Sequence, residues 1–348
     1  MKERPDIRLL SDNELIAQFK NWELPAFRAK QVSEWIWKHG VNSFHEMSSL
    51  PIELRKQLEE KFCFRPIRID ATQQSKDGTI KLRLRLYDDH LVEAVLIPVK
   101  KESRFTVCVS CQVGCSLACN FCATGKMQRE RNLEPGEIYD QVKLVGALAM
   151  AHYGHPLTNV VFMGMGEPML AYKPVMDSIH RITSPNGLGM SSKRITVSTA
   201  GVAKMIKKMA DDGTKVNLAL SLHAADDVKR SEIMAINDTN NLEALIEATK
   251  YFMDITGNRI TYEYIALGGF NLSAEDAYNL IKIVRKVPGR INVIEYNPID
   301  DAPYKRADFK EVDHFAKLVR QSGAMITVRK SRGLDIDAAC GQLANKGE

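Results

Sequence analysis

Five of the chain's seven cysteines fall within residues 108–126, "CVSCQVGCSLACNFCATGK". Cys115, Cys119 and Cys122 form a C-x3-C-x2-C triplet. A structural zinc site takes four protein ligands, commonly as paired C-x2-C units. A four-iron cubane held by three thiolates keeps one iron open, where a substrate or cofactor can coordinate. The triplet favours the cluster. Zinc and unligated thiols remain open readings on spacing alone.

Other residues with chemical potential are scattered. Glu93 interrupts the apolar run "LVEAVLIP", on the same face as Leu91 and Val95. A carboxylate there must be paired or used, and the nearby Arg83 and Arg85 are the expected partners. "GMGEP", Gly164–Pro168, places two glycines and an acid just past a strand-like run. His223 in "SLH" and Cys340 in "DAACGQL" read, residue by residue, as a structural histidine and a small buried thiol. Cys63 in "EEKFCFRP" reads as packing. Cys111 has no evident role.

The elements that must position these residues follow from periodicity. The first ~65 residues are helical. "SDNEL" carries a capping box, Ser11 with Glu14. "PAFRAKQVSEWIWKHG" opens at Pro25 and stops at Gly40. A third helix follows Pro51. "TIKLRLRLYD" then alternates Ile80, Leu82, Leu84 and Leu86 with Lys81, Arg83 and Arg85, the mark of a half-buried strand. After "HLVEAVLIPV" and "RFTVCVS", strand-like and helix-like runs alternate to "AMITVRK". Repeated β-then-α specifies a parallel sheet with helices outside. A doubly wound sheet is one solution. A full or partial (β/α) barrel is preferred, because no G-x-G-x-x-G turn follows the first strand. In either, functional residues belong at the carboxyl ends of strands.

The triplet, with Phe121 before its last cysteine, resembles the radical S-adenosylmethionine (SAM) superfamily. "FMGMGEP", "RITVSTAGV", "ALSLHA", "EYNPI" and "IDAACGQL", in order with the cysteine stretch, narrow this. Together they resemble the RlmN/Cfr family of 23S rRNA adenosine methyltransferases, closer to the RlmN type. The likeness runs over nearly the whole chain, including "FRAKQVSEWIWKHG".

The resemblance implies a partial (β/α)6 barrel with an N-terminal helical accessory domain and a short β extension. It divides the chain into residues 1–65 (helical, RNA-contacting), 66–100 (β extension), 101–335 (barrel core) and 336–348 (C-terminal segment). It implies a [4Fe-4S] cluster on Cys115, Cys119 and Cys122, and SAM chelated to the open iron. Gly166, Glu167, Ser198, Ser221, Leu222, His223 and Asn297 are implied as SAM contacts.

Two SAM molecules serve each turnover in the implied reaction. The first methylates Cys340. The second gives a 5′-deoxyadenosyl radical that takes hydrogen from the S-methyl group, and the methylene radical adds to the adenine. Cys108 is the implied resolving cysteine, releasing the crosslink through a transient Cys108–Cys340 disulfide. Glu93 is the implied proton acceptor. The implied target is C2 of an adenosine in the peptidyl-transferase centre, with a tRNA anticodon-loop adenosine as second substrate. The Cfr type, which acts on C8, shares these motifs. A non-catalytic iron–sulfur RNA-binding protein and a radical SAM enzyme acting on a small molecule or peptide are the competing readings.

Bulk properties agree with a cytosolic enzyme. The chain has 348 residues, 45% of them hydrophobic, a net charge of +5 and no long apolar run. "MKERPDIRLL" lacks a signal peptide's apolar core, and an odd number of thiols argues against a disulfide scaffold. Lys100, Lys101, Arg104, Lys126, Arg129, Arg131, Lys193, Arg194, Arg329, Lys330 and Arg332 are expected to ring the barrel mouth and meet RNA phosphates. Lys30, Lys38, Arg55 and Lys56 offer a second RNA contact. A one-electron donor such as flavodoxin or ferredoxin, no membrane and a monomeric state complete the expectation.

Overall fold

The capping and punctuation signals near the N-terminus produce three short helices: α1 (Asp12–Asn21), α2 (Ala26–Glu34) and α3 (Ile52–Lys61). These come from a computed structural model that describes residues 4–345. Residues 1–3 and 346–348, the outer ends of the helical and C-terminal segments, lie outside the described residues. Ser11 and Glu14 exchange the expected capping hydrogen bonds. The second helix runs on through one wide turn, Trp35–His39, before Gly40 ends it in the left-handed conformation.

Twelve strands follow among the described residues. They are β1 (Arg68–Gln74), β2 (Ile80–Arg85), β3 (Leu91–Val99), β4 (Arg104–Cys108), β5 (Gln112–Val113), β6 (Arg131–Asn132), β7 (Asn159–Phe162), β8 (Ile195–Thr199), β9 (Asn217–Ser221), β10 (Ile260–Ala266), β11 (Gly289–Glu295) and β12 (Met325–Arg329). All but β5 and β6 join one sheet in the order β1-β2-β3-β4-β7-β8-β9-β10-β11-β12. β1 to β4 pair antiparallel, and every pair from β4 to β12 is parallel. The helices α4 (Pro135–Tyr153), α5 (Tyr172–Thr183), α6 (Ala203–Asp211), α7 (Asp227–Ile233), α8 (Leu242–Thr256), α9 (Ala274–Lys286) and α10 (Phe309–Gln321) fall in the crossovers. Six β-then-α units with a closing strand β12 therefore make the expected partial barrel.

Burial on both faces explains why β9 and β10 read as apolar runs, while β7 and β11 are buried mainly on one face and β12 only at Ile326. Val160, Phe162, Leu218, Leu220, Tyr262, Ile291 and Val293 are all buried. β2 departs from its half-buried expectation, because Lys81 is buried along with the leucines. β1 has a polar, exposed pattern that hides it from periodicity, and it exists as the edge partner of β2. α7 is short and polar and is equally hidden in the sequence.

The sheet does not close on itself: β1 and β12 remain its two ends. The chain after β12 returns across this gap. Gly333 N–H donates to Asp77 Oδ2 (3.0 Å), Ser75 Oγ donates to Asp335 Oδ1 (2.6 Å), and Asn345 Nδ2 donates to the Leu91 carbonyl (2.6 Å).

The helical segment shares one apolar core with the barrel. A buried charge cluster also fastens it. Arg8, 6% exposed, pairs with Asp6 at 2.8 Å and with Asp140 of α4 at 2.7 Å. Removing one partner of a buried ion network typically costs about 3–5 kcal/mol, because the other charges lose their compensation. Arg8→Ala is therefore predicted to lower stability by about that amount in chemical denaturation and to speed proteolysis before α4. An unchanged denaturation midpoint would contradict this role.

Candidate active site

The cysteine-bearing loop leaves the carboxyl end of β4 and is closed at its base by the β5–β6 ribbon, Gln112 opposite Asn132. Its tip is held from two sides. Asn120 donates from its backbone to the Ile233 carbonyl (3.0 Å) and from Nδ2 to the Glu232 carbonyl (2.6 Å), at the end of α7. Ala123 N–H donates to the Gly341 carbonyl (2.7 Å), and Thr124 Oγ1 donates to the Leu343 carbonyl (2.6 Å).

Cys115, Cys119 and Cys122 line one cavity at the carboxyl ends of the strands, about 920 Å³ of space partly open to solvent. They pack against an apolar group that includes Leu117, Phe121, Ala200 and Met234. Desolvation raises all three thiols, Cys115 to about 11. Metal binding at this loop must therefore displace protons. Among the described residues, no His, Cys, Asp or Glu group is gathered for a single metal ion. Cys108 and Cys111 also have C-x2-C spacing, but both are buried and neither lines the cavity. They add no ligand to the triplet. Three thiols facing one open space fit a cluster with an accessible iron.

"GMGEP" follows β7 and packs against the root of the cysteine loop. A Cβ on Gly164 would lie 2.7 Å from the Val109 carbonyl oxygen, and one on Gly166 would lie 2.5 Å from Gln112 Cβ. Gly166 also has φ +99°, where side chains are strained. Gln112 Oε1 accepts the Glu167 N–H (2.9 Å), and Gln112 Nε2 donates to Asn132 Oδ1 (2.8 Å). The Glu167 carboxylate accepts N–H groups from Met169 (3.0 Å) and Ala200 (2.8 Å), tying this turn to the end of β8. Burial raises its pKa.

Gly166, Glu167, Ser198, Ser221 and His223 all line the cavity. Ser198 and Ser221 sit on adjacent strands with hydroxyl oxygens 3.4 Å apart. His223 Nδ1 accepts the Ile265 N–H (3.1 Å), which assigns the ring proton to Nε2. Desolvation, helped by Arg230, lowers its pKa to about 3, so the imidazole stays neutral. Phe121 meets this ring edge-on, 4.9 Å between centroids. Leu222 and Asn297 are buried and do not line the cavity. Asn297 Nδ2 donates instead to the Cys340 carbonyl (3.2 Å), and its Oδ1 is buried without a hydrogen-bond partner among the described residues.

Cys340 lines the same cavity; the residue is exposed but burial raises its thiol, and Cys108 is buried at the end of β4. Burial raises the Cys108 thiol, and Cys340 raises it further, so the two thiols are electrostatic neighbours. Both are free. Cys111 is buried in the barrel core, and Cys63 donates its thiol hydrogen to the Arg4 carbonyl (3.0 Å).

Two expectations need correction. Glu93 is 1% exposed and pairs with Lys81 at 3.2 Å, not with Arg83 or Arg85. A bulge in β1 brings Asp70 to both arginines, at 2.6 and 2.5 Å, leaving Lys81 to Glu93. The second Glu93 oxygen accepts N–H groups of Ala344 (2.9 Å) and Asn345 (3.2 Å).

The basic residues also do not form one ring. Lys100, Lys101 and Arg104 precede or begin β4, and Lys193 and Arg194 precede β8, which puts them at the end opposite the cavity. Arg131 is spent on Asp88 (2.6 Å) and Glu137 (2.8 Å). Lys126, Arg129, Arg329, Lys330 and Arg332 are on the cavity side, in the cysteine loop or at and after the end of β12.

Sequence reasoning missed two buried groups. Glu263 lines the cavity, with Oε1 accepting from Asn292 (2.9 Å) and Oε2 without a hydrogen-bond partner among the described residues. It sits in "RITYEYIAL", where its alternation with apolar residues was the available signal. Arg230, fully buried, comes from α7 and had none.

Comparison with known proteins agrees with this geometry. A family profile described as "Radical SAM superfamily" matches residues 109–281. One described as "Ribosomal RNA large subunit methyltransferase N-terminal domain" matches residues 6–64. A Cytophaga hutchinsonii protein named "Probable dual-specificity RNA methyltransferase RlmN" is 51% identical over 98% of this chain and 93% of its own length. A Nitratiruptor protein named "Dual-specificity RNA methyltransferase RlmN" is 40% identical over 92% of this chain and 94% of its own. The crystal structure of a radical SAM methyltransferase from Sphaerobacter thermophilus superposes with a TM-score of 0.91 at 36% identity, covering 98% of this chain and all of that one.

Because Gly166 touches a locked Gln112, Gly166→Ala is predicted to overpack the turn, a change that typically costs about 1–3 kcal/mol. It should lower the melting temperature and abolish SAM binding in equilibrium dialysis of cluster-loaded protein. A variant that melts and binds SAM as the parent does would refute the packing argument.

Proposed function

The chain belongs to the RlmN family of dual-specificity RNA methyltransferases, and from that premise we propose that it methylates C2 of an adenosine in the peptidyl-transferase centre of 23S rRNA and an adenosine in the tRNA anticodon loop. The observation that carries the reading is Cys340, exposed on the wall of the cavity that Cys115, Cys119 and Cys122 line. A ring carbon such as adenine C2 is not a nucleophile, so a methyl group must reach it through a carrier and a radical. A [4Fe-4S] cluster on the three thiols, with two SAM molecules per turnover, supplies one-electron chemistry and the methyl groups.

The chain's own residues supply the rest. Cys115, Cys119 and Cys122 hold the cluster. Gly166, Glu167, Ser198, Ser221 and His223 form the wall against which SAM is oriented. Leu222 and Asn297 act from behind that wall, Asn297 through the Cys340 carbonyl. Cys340 carries the methyl group, and its place on an exposed turn lets the thiol face the incoming base. Cys108, one step behind it, resolves the RNA–protein crosslink by thiol–disulfide exchange. Glu93 is the proton acceptor. To take a proton, its Oε2 must be released by the Ala344 and Asn345 N–H groups. That requirement couples acid–base chemistry at Glu93 to the position of the tail.

Arg129, Arg329, Lys330 and Arg332, on the cavity side, contact RNA phosphates. The helical segment, residues 1–65, provides a second RNA contact. The adenosine enters unstacked, as chemistry on a base requires. A low-potential one-electron donor of the flavodoxin or ferredoxin class reduces the enzyme, which works as a cytoplasmic monomer. Among the described residues, no helix is long and apolar enough to cross a membrane.

Mass spectrometry of the fragment "GLDIDAACGQLANK" tests the reading. Anaerobically purified, cluster-loaded protein should carry one added methyl group on Cys340, absent from Cys115→Ala, and Cys340→Ala should give no methylated RNA. Unmodified Cys340 in cluster-replete protein supplied with SAM would remove the relay. A C8 product would place the enzyme with the Cfr type.

A further inference from the structure

Arg230 is the largest fully buried side chain of the molecule's described residues, and its charge has no carboxylate at hydrogen-bond distance. Its guanidinium donates to four neutral acceptors: the carbonyls of Leu222 (3.0 Å), Ala200 (2.5 Å) and Ser221 (3.3 Å), and Asn237 Oδ1 (2.8 Å). These stand at the ends of β8 and β9 and just past α7. Burying an unpaired cation is costly. A carboxylate at position 237 would neutralise it, yet an amide stands there, fixed by Asp227 and Ser231.

The groups whose negative charge would act on Arg230 are Asp227 and, once deprotonated by a bound metal, Cys119. The loop between Cys119 and Phe121 is itself hydrogen-bonded to the end of α7, through Asn120. α7 thus holds the cysteine loop, and its buried cation bonds the carbonyls of Ala200 and Ser221, two residues that line the cavity of the three thiols. Desolvation lowers the Arg230 pKa only to about 10, so the charge persists at neutral pH. Glu167 is the opposing charge on the same thiols.

We propose that Arg230 is a positioning residue for the cluster's electronics: a fixed buried cation that stabilises the one-electron-reduced cluster and so sets its reduction potential. The inference rests on the cluster assignment above. Three thiolates already make the loop anionic, and an electron from an external one-electron donor adds one more negative charge. A cation fixed beside it in a poorly hydrated site stabilises that charge far more than one in water would. The reduced state gains more than the oxidised one, and the potential rises.

The test is a potentiometric titration of the full-length, iron- and sulfide-reconstituted protein without RNA, using dithionite and mediators and reading the reduced cluster by electron paramagnetic resonance. Arg230→Met should lower the reduced-to-oxidised ratio at the wild-type midpoint about tenfold, ~59 mV for a one-electron couple. Arg230→Lys, which keeps the charge and loses hydrogen bonds, should stay within about threefold of wild type. Asp227→Asn, which removes the counter-charge at nearly constant shape, should move the ratio the other way. If Arg230→Met cannot hold a cluster, the pair Arg230→Lys and Asp227→Asn decides. An upward shift for Asp227→Asn with Arg230→Lys near wild type supports the proposal. Equal downward shifts in both, or no shift in Asp227→Asn, overturn it. Unchanged potential in a cluster-loaded Arg230→Met also overturns it. A wild-type protein with no cluster signal would instead overturn the cluster assignment itself.

Discussion

A buried carboxylate on β3 holds the end of the chain. Glu93 gives one oxygen to Lys81 and the other to the backbone N–H groups of Ala344 and Asn345, some 250 residues away in sequence. Isolated, such a carboxylate would be costly. Paired in this way, it becomes the anchor for a segment with no strand or helix partner. The sheet is open between β12 and β1, and the tail crosses that opening. Gly333 and Asp335 fix the tail before Cys340, through Asp77 and Ser75, and Glu93 fixes it after. Between these pins the Gly341 and Leu343 carbonyls take hydrogen bonds from the cysteine loop. The place of the Cys340 thiol over the cavity is thus set by backbone bonds on both sides.

The cavity wall works by a related economy. Most of its polar groups are satisfied sideways, by one another: Glu167 by the β8 end, His223 Nδ1 by Ile265, Gln112 by Asn132 and Glu167. Such pairing pre-organises the wall before any ligand arrives. What remains on the cavity lining is the thiols and the Ser198–Ser221 hydroxyl pair, while Glu263 Oε2 is buried without a hydrogen-bond partner among the described residues.

Periodicity made the barrel legible because β9 and β10 at its centre are buried on both faces, their parallel neighbours bury at least part of one face, and each crossover helix buries an apolar face. It failed wherever an element is specified by its neighbours. β1 is polar and is defined by pairing with β2. α7 is seven mostly polar residues whose role comes from Asn120, Asn237 and Arg230. The Glu93 partner was misassigned for a similar reason: register places Arg83 directly opposite, but a bulge at Asp70 captures both arginines. The basic residues show another limit. Lys100 and Lys193 border strands of the barrel, but proximity in sequence to a strand does not say which end of it. Chain direction does: residues before β4 and β8 lie at the far end, and those after β12 and in the cysteine loop lie at the mouth.

In the proposed reaction the two sets of cysteines need opposite mechanical properties, and the fold separates them accordingly. The triplet sits on a loop sealed by a ribbon at its base, by α7 at its tip and by two glycine-dependent contacts at its root. Shifting it would mean breaking apolar packing as well as hydrogen bonds. Cys340 sits on a tail held mainly by single hydrogen bonds to side chains and loop carbonyls, with few large apolar anchors beyond Leu343. Hydrogen bonds of this kind contribute about 0.5–1.5 kcal/mol each, so a few can be exchanged without unfolding the barrel. In the proposed reaction Cys340 meets SAM, then a base, then Cys108, and so has to change partners in turn. A tail pinned by exchangeable bonds across an open sheet edge allows that, and a closing strand in the same place would not.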